Sequence, residues 1–285
     1  MPESSPTVRR RRLGLILRDL RLAARLTGDE VGRRVERSAS WVSRVENGRV
    51  GLRVRDLHDL LDALEVTNPE TRTELTQLAR ESKQRGWWNR YGQTITGPYA
   101  SFISFEHEAS DLRSYEGIAV NGLLQTEEYA RALLEHGIPR VTGEDADRRI
   151  GIRMRRQQRL TAQDPPSVWI ILEQSVLHRP FGGPSIMRRQ LQHMLDLAHD
   201  LLHVSIQVLP FNQALYVGLI ASFWIISFPP PDQDIVFTEG MNGMIMEEEA
   251  DAQAYTLVFD ELRSAALSKT DSLKLIRESM GEYDG

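Results

Sequence analysis

The polar residues between Ser38 and Gly48 have the types and the spacing of a surface that forms hydrogen bonds with an external ligand. If this stretch is helical, Val42 and Val45 point towards a core, because residues three or four apart share a helix face. Hydroxyl, guanidinium and amide groups on the opposite face are the donors and acceptors that recognise base edges in the major groove of DNA. The predicted base-reading residues are Ala39, Ser40, Ser43 and Arg44.

The residues before this stretch predict a second short helix that meets it at a tight corner. Val31 and Val35 share one face, and Gly32 lies beside them, where a bulky side chain would keep two helices apart. Thr27 and Ser38 occupy N-cap positions, each ahead of an amphipathic segment. The pair has the form of a helix-turn-helix, in which one helix braces across the phosphates and the next enters the major groove.

Three further helices are predicted around this pair. Apolar residues at helical spacing mark one helix before it, over 13–24, and one after it, over 57–64, while Pro69 opens a fifth. Residues at the helix ends or on the basic faces of this unit could hold the DNA backbone, and Trp41 could offer its indole N–H. The predicted backbone contacts are Arg21, Thr27, Trp41, Asn47, Arg49 and Arg53.

The charge of the chain is divided unevenly between its two parts. Residues 1–85 hold 18 Lys and Arg against 13 Asp and Glu, a formal charge of +5, whereas residues 86–285 carry −10. A basic first part suits phosphate neutralisation. The run Arg9–Arg12 predicts a mobile arm before the first helix that reaches along the backbone or into the minor groove; the alternative is a solvated tail.

Residues 1–85 resemble the DNA-binding domain of phage repressors and of the bacterial Xre family, through the run SxSxVSRxENG from Ser38 to Gly48. The family usually has Gln in place of Gly28, and Gly followed by an apolar residue at the corner, where this chain has Glu36 and Arg37. Since a residue other than Gly at positive φ costs roughly 1 kcal/mol, we expect the corner to be reshaped. The alternative is a helical bundle with no role in nucleic-acid binding.

Length and composition set the remaining limits. With 285 residues the chain has room for about two domains. We predict a helix-turn-helix domain over 1–85, a junction over 86–98 and a second domain over 99–285. The absence of cysteine excludes disulfides, zinc fingers and thiol nucleophiles. No apolar run reaches the roughly 18 residues of a membrane span and no signal peptide is evident, so we expect a cytoplasmic protein.

The second domain reads as α+β with a small mixed sheet. The patterns predict helices over 105–115, 126–134, 144–160, 185–202, 247–266 and 271–280, and strands over 168–172, 204–209, 223–228 and 235–237. The first two of these strands, 168–172 and 204–209, would form a strand–helix–strand unit with the helix between them, and the last two would form an antiparallel pair.

This part of the chain carries a second resemblance. The runs SYEGIAVNGLLQTEEYARALL (114–134), LHRPFGGPSIMRRQL (177–191) and SIQVLPF (205–211) are similar to the C-terminal domain of a group of actinobacterial Xre regulators. The group includes WhiJ-like developmental regulators and antitoxin-like proteins. The resemblance implies a small acidic partner protein encoded nearby, or a small-molecule effector. Trp87 and Trp88 in the junction are candidate contacts; they could instead anchor the junction or stack on bases.

No pattern in the second domain predicts catalysis, a cofactor or a metal. His199 and His203 share a helix face, with His193 nearby, but the intervening Glu of a zinc protease motif is missing. The sequence therefore predicts a sequence-specific transcriptional regulator that binds DNA as a homodimer. Two alternatives are an antitoxin-like protein that sequesters a small acidic partner while regulating its own operon, and an enzyme fused to a DNA-binding domain.

Overall fold

The computed structural model describes residues 6–82, 86–95, 97–213, 222–230, 232–240, 243–247 and 249–283. The chain divides into two units, Met1–Arg90 and Tyr91–Gly285. Within these described ranges, no helix is long and apolar enough to cross a membrane.

The described residues of the first unit form five α-helices around one apolar core. They are α1 (Pro6–Ala23), α2 (Gly28–Arg34), α3 (Ala39–Glu46), α4 (Val54–Ala63) and α5 (Pro69–Glu81). Leucine and valine side chains from all five helices fill the core, among them Leu17, Val31 and Leu61. The helical nature of this unit and its five-helix count are as the periodicity predicts.

The predicted arm at Arg9–Arg12 is wrong, because these residues lie within the first turns of α1. Val8, just before the run, is 7 % exposed, and Leu13 and Leu17, after it, are each 2 % exposed. Arg9 also forms an ion pair with Glu81 at 3.2 Å. Apolar anchoring on both sides of the basic run extends the helix through it.

The second unit is an α+β domain. After the 3-10 helix Trp87–Thr94, its helices are α6 (Gly97–Glu108), α7 (Glu127–His136), α8 (Gly143–Gln157), α9 (Gln174–Leu177), α10 (Pro184–Asp200), α11 (Glu249–Ala265) and α12 (Lys269–Gly281), with a further 3-10 turn at Gln158–Thr161. Its strands are β1 (Asp111–Glu116), β2 (Ser167–Glu173), β3 (Val204–Leu209), β4 (Phe223–Ser227), β5 (Ile235–Gly240) and β6 (Gly243–Met246).

The six strands form one mixed sheet in the order β3-β2-β1-β4-β5-β6. β1, β2 and β3 are parallel, whereas β4, β5 and β6 continue the sheet in antiparallel pairs. The α+β fold with a mixed sheet is confirmed, as are the strand–helix–strand unit of β2 and β3 and the antiparallel pair of β4 and β5. On one face, Phe259 and Leu262 of α11 pack against strand residues such as Phe223. On another side, Phe102 of α6 makes edge-to-face contacts with Trp224 and Phe237.

The predicted helix over 105–115 is wrong in its second half, which forms β1, and β6 was not predicted. The burial of β1 alternates as a strand requires, but two of its three inward residues are the polar Ser114 and Glu116. They are buried because they bond to each other and to Asn121. The alternation of apolar and polar types, by which a strand is predicted, is therefore missing.

Candidate nucleic-acid interface

The corner between α2 and α3 is built by backbone contacts at close range. A Cβ added to Gly32 would lie 2.7 Å from the Arg37 carbonyl oxygen, so only glycine allows this approach. Glu36 takes a left-handed conformation with φ of 56°. The corner is therefore closed by a strained glutamate, at a cost of roughly 1 kcal/mol, and the positive φ is kept instead of being avoided.

Both helices of the pair begin at the predicted caps. Thr27 accepts a hydrogen bond from the Glu30 amide, and the Glu30 carboxylate accepts one from the Thr27 amide at 2.7 Å, which completes a capping box. Ser38 caps α3 by accepting from the Trp41 amide at 3.1 Å. Because these bonds span only three residues, the sequence alone was enough to place them.

The outward face of α3 carries the predicted base readers. Val42 and Val45 are buried, while Ala39, Ser40, Ser43 and Arg44 are exposed. Arg44 Nη1 lies 3.5 Å from Ser40 Oγ, one turn earlier on the helix. Asn47 Nδ2 donates to the Ser43 carbonyl at 2.8 Å and is 3.3 Å from Ser43 Oγ. The face thus presents hydroxyl, guanidinium and amide groups side by side, with a geometry suited to base edges.

The predicted backbone contacts fall into two groups. Thr27, Asn47, Arg49 and Arg53 are exposed at or near helix ends. Trp41 is half-buried against the core, and the Arg37 guanidinium lies 5.5 Å from its ring centroid. Their roles in binding phosphates stay predictions.

Arg21 has a different environment. Its Nε and Nη2 bind the two carboxylate oxygens of Glu46 at 2.6 and 2.9 Å, and its Nη1 donates to the Leu26 carbonyl at 2.9 Å. The two side chains are only 14 % and 10 % exposed. Because all three guanidinium nitrogens are bonded within the unit, Arg21 fixes α3 against α1 and has no free nitrogen with which to contact a phosphate.

Sequence reasoning missed this clamp, although one signal was present. Glu46 follows Val42 by four residues, so it falls on the core side of α3, where a carboxylate needs a partner. The partner, Arg21, could not be chosen from among the many arginines of the unit without the structure.

The second unit contains two buried polar networks that the sequence did not reveal. Arg156 on α8 binds the Glu106 carboxylate through Nε and Nη2 at 2.7 and 2.6 Å. At the end of β1, Glu116 accepts hydrogen bonds from Ser114 and Asn121 at 2.6 and 2.7 Å. Burial raises the pKa of Glu116 to about 8, so this carboxyl group is largely protonated at neutral pH.

The histidines and the junction tryptophans lie as follows. α10 ends at Asp200, so His203 is not on the same helix as His199; its Nε2 lies 3.0 Å from the Leu160 carbonyl. Among the described residues, no three His, Asp or Glu side chains are grouped as metal ligands. Trp88 is 5 % exposed and meets Trp87 edge to face at 5.7 Å between ring centroids. Their part in binding a partner or ligand stays a prediction.

Five helices, with a capped second and third helix meeting at a tight corner, define the first unit as a helix-turn-helix domain, a class of fold that binds DNA. Residues 12–75 match the family described as a helix-turn-helix domain. Residues 99–278, more than half of the chain, match a family described as a domain of unknown function (DUF5753), and the chain belongs to this family. Neither a curated protein nor a solved structure matches the chain.

Proposed function

We propose that the chain is a sequence-specific DNA-binding regulator of transcription, of the WhiJ-like group of Xre regulators. The observation that carries the proposal is the exposed polar face of α3, opposite the buried Val42 and Val45 on a helix capped by Ser38. An amphipathic helix of this kind can lie in the major groove while its apolar side stays in the domain core. The proposal includes no catalytic step and no cofactor.

Arg44 is the residue that we expect to contribute most to specificity. A guanidinium group can bind guanine through O6 and N7, which is worth roughly 1–3 kcal/mol of discrimination. Ser40, 3.5 Å from Arg44 Nη1, would restrict the orientation of the guanidinium before DNA is bound. Thr27, Asn47, Arg49 and Arg53 would contact phosphates on either side of the groove.

The test is a selection of binding sites from random DNA with the full chain and with Arg44→Ala. We expect the variant to lose preference at one base pair while retaining the rest of the site. Arg80→Ala is the matched control, because it removes an exposed arginine from α5. If Arg44→Ala selects the same site as the unchanged chain, α3 does not read DNA in this way.

We further propose that the chain works as a homodimer on an inverted repeat. A single domain of this size makes few base contacts, and paired domains would recognise half-sites about 34–36 Å apart or a multiple of that distance. Light scattering at micromolar concentration and footprinting on the selected DNA test this together. A monomer that protects one unrepeated half-site would contradict it.

The second unit, in this proposal, receives a partner protein or a small molecule that changes DNA affinity. Residues 86–285, which include this unit, carry a charge of −10, which makes them unsuited to binding DNA. Linkage requires that any ligand that weakens DNA binding be weakened by DNA to the same factor. Operator affinity measured with and without the product of the neighbouring gene separates this regulator from an antitoxin-like protein, whose main ligand would be that product.

A further inference from the structure

Two arginines one turn apart on α8 are paired very differently. Arg156 is 6 % exposed, and its Nε and Nη2 hold the Glu106 carboxylate while its Nη1 lies 3.0 Å from the Tyr99 hydroxyl. Arg153 has only a neutral partner, since its Nη1 donates to the side-chain oxygen of Gln125. In the part of the chain that the structure describes, no carboxylate forms an ion pair with Arg153.

The unused donors of Arg153 are the ones that bind oxyanions best. Nε and Nη2 point in parallel and can hold both oxygens of one carboxylate or phosphate. Arg21 and Arg156 use this same pair of nitrogens to bind Glu46 and Glu106. On Arg153 these two nitrogens have no hydrogen-bond acceptor among the described residues. Neither is among the fully buried side-chain atoms that lack a hydrogen-bond partner.

The surroundings of Arg153 make an unpaired charge costly. The side chain is half-buried, and burial lowers the pKa of Arg153, with Arg156 adding repulsion. Tyr99, Glu239 and Tyr129 act in the opposite direction without forming an ion pair. A desolvated guanidinium group with no carboxylate hydrogen-bonded to it is destabilising unless a ligand pairs with it.

Gly122, in the turn after β1, faces the two arginines. A Cβ placed on Gly122 would be 3.6 Å from Arg156 Nη1 and 4.0 Å from Arg153 Nε. Both are van der Waals contact distances, and because Gly122 has no side chain, none lies between its backbone and the Nε edge of Arg153. The site is near the carboxyl end of a parallel strand, which is where sheets with helical crossovers bind their ligands.

We propose that Arg153 is the anchor of an effector site that takes a small molecule through its carboxylate or phosphate group. The Nε and Nη2 atoms of Arg153 hold the oxyanion, and Gly122 provides the room for it. This inference deepens the proposed function, on which it rests, by assigning the ligand of the second unit to a chemical class.

The test uses the full chain without DNA. Inorganic phosphate and succinate are titrated separately, at constant ionic strength against chloride, and binding is followed by calorimetry and by the unfolding midpoint of the second unit. We expect saturable binding of at least one of the two probes, and the one that binds assigns the anionic group. Arg153→Gln should weaken it by at least about tenfold, because hydrogen bonds to charged groups are worth roughly 1.5–3 kcal/mol.

Two further variants separate this role from a structural one. Gly122→Val places side-chain atoms against the Nε edge of Arg153 but keeps the guanidinium group, so it should also weaken binding by at least about tenfold while preserving the charge. Arg148→Gln removes an exposed arginine of the same helix, paired with Glu144, and should leave binding unchanged. The proposal would be overturned if the unchanged chain showed no saturable binding, or if Arg153→Gln or Gly122→Val bound the probe as tightly as the unchanged chain. Because these titrations contain no DNA, neither result bears on base reading by α3, which the Arg44→Ala selection tests separately.

Discussion

Breaking the clamp between Arg21 and Glu46 should destabilise the first unit strongly. The change is Glu46→Gln, which keeps the shape of the side chain but leaves the Arg21 guanidinium without its carboxylate. Removing one partner of a fully buried ion pair costs about 3–5 kcal/mol. Here the side chains are 14 % and 10 % exposed, and Arg21 keeps its bond to the Leu26 carbonyl. We therefore expect a smaller loss than this range, roughly 2–3 kcal/mol.

The assay is hydrogen exchange of the full chain, followed by mass spectrometry, since it reports the two units separately. Peptides from α1 and α3 should lose protection, while those from the sheet of the second unit should not. In a domain of this size, each kcal/mol of lost stability lowers the unfolding midpoint by about 4–8 °C. The expected loss therefore corresponds to a fall of roughly 10–20 °C in the midpoint of the first unit.

The matched control is the ion pair of Arg33 and Asp29 in the same unit. Its N–O distance is 2.8 Å, but its side chains are 72 % and 68 % exposed. Because solvent screens an exposed pair, Asp29→Asn should cost less than about 0.5 kcal/mol. A similar small cost for Glu46→Gln would refute the reasoning, since it would mean that burial does not set the strength of the clamp.

Three further predictions concern single positions. Glu36→Gly should raise the free energy of unfolding of the first unit by roughly 0.5–1 kcal/mol, because glycine adopts the positive φ without strain. An unchanged or lower unfolding midpoint would contradict this. Gly32→Val should lower the free energy of unfolding of the first unit by about 1–3 kcal/mol, since its Cβ would lie 2.7 Å from the Arg37 carbonyl oxygen. A smaller loss would show that the backbone of the corner can shift. Glu116→Gln should stabilise the second unit. The pKa of Glu116 is raised to about 8 in the folded chain, so the folded state binds a proton that the unfolded state has released between the ordinary glutamate pKa and about 8. The unchanged chain therefore loses stability as pH rises through this window. The free energy of unfolding of Glu116→Gln, measured with denaturant, should exceed that of the unchanged chain by an amount that grows there by up to about 1.4 kcal/mol per pH unit. A difference that does not depend on pH would refute this prediction.

Much of the first unit follows from the sequence, because its determinants are close together in the chain. Caps such as Thr27 and Ser38 bond to amides three residues away. The buried face of α3 is defined by valines three residues apart. Information of this range is contained in a short window, so helix limits and the outward face of α3 could be predicted without knowing how the helices pack.

The order of the sheet and the environment of each charge were decided by the tertiary structure. β1 looked helical because its inward positions are polar, and their partners come from the turn that follows the strand. Glu106 and Arg156 are 50 residues apart, so no local pattern joins them.

The arginines of α8 show the difference most clearly. In the sequence they form one basic run, and any of them could be a solvated charge. In the folded chain Arg148 is exposed, Arg156 is buried with a carboxylate, and Arg153 is half-buried with a neutral amide. The sequence determined that the helix is basic. Only the packing of distant segments against it decided the desolvation and the counterion of each guanidinium group, and these two quantities determine whether an arginine stabilises the fold or is left to bind a ligand.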